Sequence, residues 1–186
     1  IPERHVPYVF EKYDIPSSFL VNFWENLGII IFAFALWLLF RGVEFFISPE
    51  QNPRTLSITK KVRVMIQNFL LAALYGVYGD LILFAIIEYR SFAFGWNLSF
   101  LSFISTIILL VTMLFTFFYQ IKILKEYQKI KKQDHTSQQL EQFKKRNEGN
   151  QMFFKDFKDC ALSPQLFPFF LSIRDIVFSL ILATMF

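Results

Sequence analysis

The sequence predicts an all-α fold: a polytopic membrane helical bundle with about four transmembrane helices and a charged cytoplasmic helical connector. Of its 186 residues, 54% are hydrophobic and the mean hydropathy is +0.41, above the range of ordinary soluble domains. The apolar residues are bunched into four stretches, each near the roughly 20 residues that a helix needs to cross a bilayer. The charged residues lie between these stretches.

The first span follows residues 1–18, which we assign to the extracytoplasmic side of the membrane. Pro16 stands beside Ser17 and Ser18, and this combination is typical of the start of a helix. The sequence therefore predicts a first transmembrane helix over about Phe19–Phe40.

A basic connector, residues 41–63, separates the first span from the second. Pro49 and Pro53 within it are expected to break any continuous helix, because proline lacks the backbone N–H that a helix interior requires. The second span is then predicted over about Val64–Glu88.

The second and third spans are predicted to form a tight transmembrane hairpin. Only the short link 89–95 separates them, and the third span covers about Trp96–Gln120. Residues 19–121 therefore hold transmembrane helices 1–3 together with the basic connector.

A charged cytoplasmic connector, residues 122–162, is rich in Lys, Gln and Glu. We expect it to extend the third helix into water and to break near Asn147–Asn150. Its segment Gln151–Asp159 is predicted to lie on the membrane surface as a short amphipathic helix. Transmembrane helix 4 covers 163–186, with Ser163 as its N-cap and a proline at its first helical position.

The distribution of Lys and Arg predicts the orientation. The two connectors hold fifteen of these residues and the opposite side only three. The positive-inside rule places both connectors in the cytoplasm, or on the matrix side of a mitochondrial membrane, with the N-terminus outside. Basic residues beside an anionic leaflet are also candidates for contacts with lipid headgroups. These candidates are Lys60, Lys61, Arg63, Lys155 and Lys158.

Ionisable residues within the apolar spans form a possible intramembrane polar site, because charge is costly in a bilayer. Glu25 and Asp80 lie at comparable distances from the outer ends of spans one and two, so the two carboxylates could flank a cation or share a proton. Asp80 also continues the small-residue spacing of Ala72 and Gly76, which predicts that it faces the bundle interior.

Arg174 and Asp175 lie near the middle of the fourth span. Adjacent residues point about 100° apart on a helix, so we do not expect these two to pair with each other. A structural ion pair between Arg174 and Asp80 is the preferred alternative. One arginine is not the repeated series of a voltage sensor, so a sensing or conducting role is less favoured.

The sequence contains no motif for catalysis. It lacks a nucleophile with a base partner, a glycine-rich phosphate loop and a zinc motif. The single Cys160 and the distant His5 and His135 cannot supply a four-ligand zinc site. We therefore expect no enzyme, no cofactor and no metal site, and the membrane setting argues against nucleic acid as a partner.

Three stretches follow one another in a recognisable order: SSFLVNFWENLGIIIFAFALWLLF, KKVRVMIQNFLLAALYGVYGDLILFAIIEYRSF and FKDFKDCALSPQLFPFFLSIRDIVFSLILATMF. In this order the chain resembles the C-terminal polytopic region of large ciliate surface proteins. Many of these carry cadherin-like ectodomains, and their membrane part is loosely similar to transient-receptor-potential-like channels. The resemblance implies a large ectodomain before Ile1 and further spans after Phe186. The non-Met start and the apolar run at the end also predict a piece of a longer protein.

We expect a non-catalytic multi-spanning module that anchors a larger surface or ciliary membrane protein, or that forms part of a channel-like assembly. Its partners would be the lipid bilayer and other membrane helices or subunits. The alternative is a lineage-specific accessory structural subunit of an energy-transducing mitochondrial membrane complex. A third hypothesis, an ion pathway in its own right, requires Asp80 to line water.

Overall fold

A computed structural model of the chain describes residues 8–47, 52–91, 98–133, 137–154 and 166–185. Within these ranges every regular element is helical and no strand occurs, so the predicted all-α class is confirmed. The elements are α1 (Tyr8–Lys12), α2 (Phe19–Phe46), α3 (Pro53–Gly76), α4 (Tyr78–Ser91), α5 (Leu98–Gln133), α6 (Ser137–Arg146), a 3₁₀ helix (Glu148–Phe153) and α7 (Phe167–Met185).

Three of the described helices, α2, α5 and α7, are long and apolar enough to cross a membrane. Helices α3 and α4 meet the same criterion as a pair, with a bend of 51° between them at Val77. Counting the bent pair as one span gives the four spans that the sequence predicts. These apolar helices support a membrane location.

The helices extend further into the first connector than the sequence indicates. Helix α2 continues to Phe46, and α3 begins at Pro53, where the Leu56 N–H donates to the Asn52 carbonyl over 3.1 Å. Proline is well tolerated at a first helical position, because the N–H it lacks would have no partner there. Pro53 therefore starts a helix, while Pro49 lies outside the described residues.

The chain divides into two compact units, each of which is described by itself. Unit 1 comprises Ile1–Gly28, Tyr75–Phe118 and Phe169–Phe186, and unit 2 comprises Ile29–Leu74 and Tyr119–Pro168.

Aromatic side chains form the centre of unit 1. Tyr78, at the start of α4, is almost fully buried, and its ring centroid lies 5.1 Å from that of Phe117 on α5. Phe117 also packs edge-to-face on Phe169 of α7, at 5.3 Å between centroids. The Tyr78 hydroxyl hydrogen-bonds the hydroxyl of Thr116, which gives this buried polar group a partner. Three helices therefore meet at one aromatic cluster.

Helices α4 and α7 approach closely at Gly79. A Cβ added to this glycine would lie 3.3 Å from Ser179 Oγ and 3.5 Å from Asp175 Cβ. Ser179 and Ala183 of α7 are buried, as expected where small residues let two membrane helices pack tightly. The close contact therefore uses Gly79 rather than Gly76, where an added Cβ would have no neighbour within 4 Å among the described residues.

The core of unit 2 joins α5, α6 and the segment after them. The rings of Tyr127, Phe143 and Phe154 lie 5.6 to 5.8 Å apart between centroids, and all three are buried. Phe153 is also fully buried. The predicted membrane-surface helix is therefore wrong for Phe153 and Phe154, which pack inside the unit; residues 155–159 lie outside the described part of the chain.

Candidate functional site

Asp80 lies on the exposed face of α4. The buried face of this helix carries Tyr78, Leu81, Ala85 and Glu88, which share one side of a helix by spacing. Asp80 follows Tyr78 by two positions and so points about 200° further round the axis. Its carboxylate is exposed and makes no hydrogen bond or ion pair with the described residues. The prediction that Asp80 faces the bundle interior is therefore wrong.

Arg174 pairs with its neighbour Asp175 on α7. Arg174 Nη2 lies 2.7 Å and Nε 3.0 Å from Asp175 Oδ1. The expectation that these neighbours do not pair is therefore wrong: adjacent positions point about 100° apart on a helix, but the arginine side chain is long enough to reach the carboxylate. This pair replaces the expected one between Arg174 and Asp80, which does not occur. Both partners remain substantially exposed.

The close packing of α4 on α7 brings these charges into one region of unit 1. Asp175 lies against Gly79, which immediately precedes Asp80. Asp80 and the Arg174–Asp175 pair are therefore charged residues beside this contact between two apolar helices, although Asp80 makes no hydrogen bond or ion pair with the other two. We call these three residues the α4–α7 charged cluster.

Glu25 lies on α2 and forms no hydrogen bond or ion pair with those three residues. It is exposed on α2 and, like Asp80, has no hydrogen-bond or ion-pair partner among the described residues. Nearby Asn22 instead donates to the carbonyl oxygens of Pro16 and Ser18, over 2.6 and 3.1 Å. No group of three or more His, Cys, Asp or Glu residues in the described ranges could hold a metal ion.

Glu88 is a buried carboxylate that the sequence places only at the end of a predicted span. Its side chain is fully buried, and Oε2 accepts hydrogen bonds from the Phe19 N–H over 2.7 Å and from the Ser102 hydroxyl over 3.0 Å. Ser102 Oγ also accepts from the Leu20 N–H over 3.2 Å. Glu88 and Ser102 thus satisfy the first N–H groups of α2, where the helix dipole favours negative charge.

The helical spacing of Glu88 could have revealed it. It follows Tyr78, Leu81 and Ala85 at positions that share one helix face, so a carboxylate there enters the same environment as those residues. Among the span-three hydroxyls, Thr106 and Thr112 bond back to carbonyl oxygens four residues earlier, as expected. Ser102 departs from that pattern because its hydroxyl serves Glu88 and α2.

The predicted headgroup contacts divide into two groups. Arg63 Nε lies 2.7 Å from Glu44 Oε1, so this guanidinium is engaged within unit 2. Lys60 and Lys61 are exposed and remain available to lipid. Lys155 and Lys158 lie outside the described residues.

Amide side chains attach the 3₁₀ helix to α3 within unit 2. Gln67 Nε2 donates to Asn150 Oδ1 over 3.3 Å, and Asn150 Nδ2 donates to the Tyr119 hydroxyl over 3.0 Å. Asn68 binds the same segment from both sides: it donates to the Glu148 carbonyl over 3.1 Å and accepts from the Met152 N–H over 3.3 Å. No local pattern in the sequence predicts this contact, since its members lie about 80 positions apart.

The geometry offers two polar features in unit 1: a buried carboxylate that caps a helix and an exposed charged cluster on apolar helices. Among the described residues, Glu88 is buried and hydrogen-bonded, whereas the charged residues on α4 and α7 are at least partly exposed. Comparison with known protein families, with curated proteins and with solved structures finds no match to this chain.

Proposed function

We propose that this chain is a non-catalytic, multi-spanning membrane module that packs against other membrane helices of a larger assembly. The observation that supports it is the exposed α4–α7 charged cluster of Asp80, Arg174 and Asp175. Each of these residues lies inside a stretch that is otherwise apolar enough to span a bilayer.

Exposure of this cluster to lipid is energetically unfavourable. A single Asp or Arg at the centre of a membrane helix costs about 2.5 to 3.5 kcal/mol on insertion scales. The Arg174–Asp175 pair offsets part of that cost, but Asp80 has no such partner among the described residues. A neighbouring protein helix or a hydrated cavity would supply the hydrogen-bond partner for Asp80 that the described residues lack.

The surface beside Asp80 suits a helix partner. Gly76, the last residue of α3, is exposed with open space around its Cβ position, and Asp80 follows it in the first turn of α4, beyond the bend at Val77. A glycine next to a polar group lets a second helix approach closely and form a hydrogen bond across the interface. We infer that another membrane helix occupies this surface.

Two kinds of assembly would supply such a helix. The resemblance to ciliate surface proteins favours an anchor for a larger surface or ciliary protein, with a channel-like assembly as its extension. An accessory subunit of a mitochondrial energy-transducing complex would use the same surface. The native N-terminal sequence separates them, since an ectodomain supports the first and a transit peptide supports the second.

The proposal is tested by extracting the tagged chain from its native membranes in mild detergent and measuring the mass of the complex that it enters. The substitution Gly76→Leu is expected to lower the recovered fraction of the larger complex, because the new side chain fills the space that a partner helix would occupy. The fold itself should persist, because Gly76 is exposed and a Cβ added there meets no neighbour within 4 Å among the described residues outside the adjacent helix backbone.

A matched control is Gly28→Leu on α2, a second helical glycine with open space around it. It adds the same volume away from Asp80, so the complex should form as in the parent. The proposal fails if the parent chain runs as a monomer, or if the two leucine variants reduce assembly equally.

A further inference from the structure

A groove in unit 2 lies between the end of α2 and the start of α3. Its volume is about 550 Å³, within the roughly 300 to 1,000 Å³ typical of ligand pockets. Its walls combine charged and apolar side chains in one place. They include Arg41, Glu44, Phe45, Phe46, Leu56 and Lys60.

Among the described residues, the charges around this groove are predominantly positive. The Glu44 carboxylate is almost fully covered and accepts from Arg63 Nε over 2.7 Å and from Arg41 Nη1 over 3.2 Å. Glu44 neutralises one of the three cations Arg41, Arg63 and Lys60, so the net charge of these four groups is +2. The Arg41 side chain is 63% exposed and Lys60 is also exposed, so both can reach an anion from outside the unit.

The groove also lies where a phospholipid headgroup would be expected. Arg41 is the first charged residue after the uncharged stretch 26–40 of α2, so it marks the end of the hydrocarbon-spanning part of that helix. Phe45 and Phe46, with 86% and 85% of their surface exposed, place apolar rings beside it. A soluble anion would use only the two cations, whereas a lipid would use the rings as well.

We propose that this groove binds an anionic membrane phospholipid, with the headgroup phosphate between Arg41 and Lys60 and the acyl region against Phe45 and Phe46. The charge complementarity and the apolar wall together select this occupant. The site requires that the chain lies in a bilayer, but it requires no partner subunit, so it can be tested independently of the proposed assembly.

The test uses the purified full chain in nanodiscs that contain phosphatidylcholine and phosphatidylserine, and native mass spectrometry to count the lipids retained. The parent should retain phosphatidylserine in preference to phosphatidylcholine. Each basic side chain near a membrane surface contributes about fivefold to anionic-lipid binding, so Lys60→Gln should lower the preference about fivefold. The double variant Arg41→Gln/Lys60→Gln should lower it about 25-fold.

Lys60→Gln leaves the contacts of Glu44 intact, so it tests the site without disturbing the local fold. The double variant Lys144→Gln/Lys145→Gln removes the same charge from exposed positions of α6 and should keep the preference. Phe45→Ser/Phe46→Ser should weaken retention although both cations remain. The inference is overturned if Lys60→Gln leaves the preference for phosphatidylserine unchanged, or if the α6 control lowers that preference as much as the groove variants do. It is also overturned if inorganic phosphate at equal concentration displaces the lipid.

Discussion

At the scale of single residues, Glu88 is a fully buried carboxylate that accepts hydrogen bonds from two other helices. It lies on α4, yet its carboxylate accepts from the backbone at the start of α2 and from Ser102 of α5. One side chain therefore links three helices. A buried carboxylate is tolerated here because donors surround it and the positive end of the α2 dipole lies against it.

We expect Glu88→Ala to destabilise the chain by about 1 to 3 kcal/mol, because the buried Phe19 N–H and Ser102 hydroxyl would lose their acceptor. Thermal unfolding in detergent, followed by circular dichroism, measures the change. Glu25→Ala removes an exposed carboxylate from α2 and should change the stability by no more than about 0.5 kcal/mol. Equal losses in the two variants would contradict the capping role.

The sequence identifies which residues of a membrane helix share a face, but it does not identify which face is buried. In α4 the spacing correctly groups Tyr78, Leu81, Ala85 and Glu88. The sequence does not show whether that group faces lipid or the protein interior, because both environments are apolar and favour similar residues. The small-residue spacing therefore predicts that Asp80 faces the helix-bundle interior, although its side chain is exposed. Glu88, at the predicted end of a span, is buried instead.

At the scale of elements, the 3₁₀ helix shows how a polar segment can be fixed without a large apolar face. A Cβ added to Gly149 would overlap the side-chain amide of Gln67 on α3. The amide of the same glutamine bonds Asn150. Close backbone approach and amide hydrogen bonds act together at one point of contact.

The substitution Gly149→Ala should destabilise the chain by about 0.5 to 1.5 kcal/mol, because the new methyl group would displace the end of the Gln67 side chain from its hydrogen bond with Asn150. Gly42→Ala in α2 should instead stabilise the chain, because the surroundings of Gly42 are open and alanine is more favourable than glycine in a helix interior by about 0.5 to 1 kcal/mol. Chemical denaturation of both variants in the same detergent compares the two. A stabilised Gly149 variant would show that the 3₁₀ helix does not pack closely on α3.

The existence of the membrane helices could be predicted from the sequence, and their bends and lengths could not. Long apolar runs define α2, α5 and α7 because the bilayer thickness sets a minimum length. The 51° bend at Val77 has no proline to announce it. Gly76 and Gly79 flank it, and buried Tyr75 and Tyr78 lie on either side of it.

At the scale of the whole molecule, the charge distribution follows the division into units. Unit 2 contains fifteen of the 19 Lys and Arg residues, and unit 1 contains four. Unit 1 contains seven of the 15 acidic residues, so its formal charge is negative while that of unit 2 is positive. A bias in Lys and Arg of this size is what the positive-inside rule uses to orient membrane proteins.

Orientation can be measured by cysteine labelling, because Cys160 is the chain's single cysteine. In a Cys160→Ser background, Tyr13→Cys and Lys144→Cys each introduce one thiol at an exposed position. In sealed right-side-out vesicles, a membrane-impermeant maleimide should label the thiol at position 13 and spare the thiol at 144. After permeabilisation with detergent, the maleimide should label both thiols.

The reverse labelling pattern would place the basic connectors outside and contradict the positive-inside assignment. Labelling of both thiols in sealed vesicles would place positions 13 and 144 on the same side of the membrane. The four-span topology requires them to lie on opposite sides. That topology puts three crossings between positions 13 and 144: α2, the bent α3–α4 pair and α5. The experiment therefore tests whether the bent pair truly crosses the bilayer, since a re-entrant pair would leave both thiols on the same side.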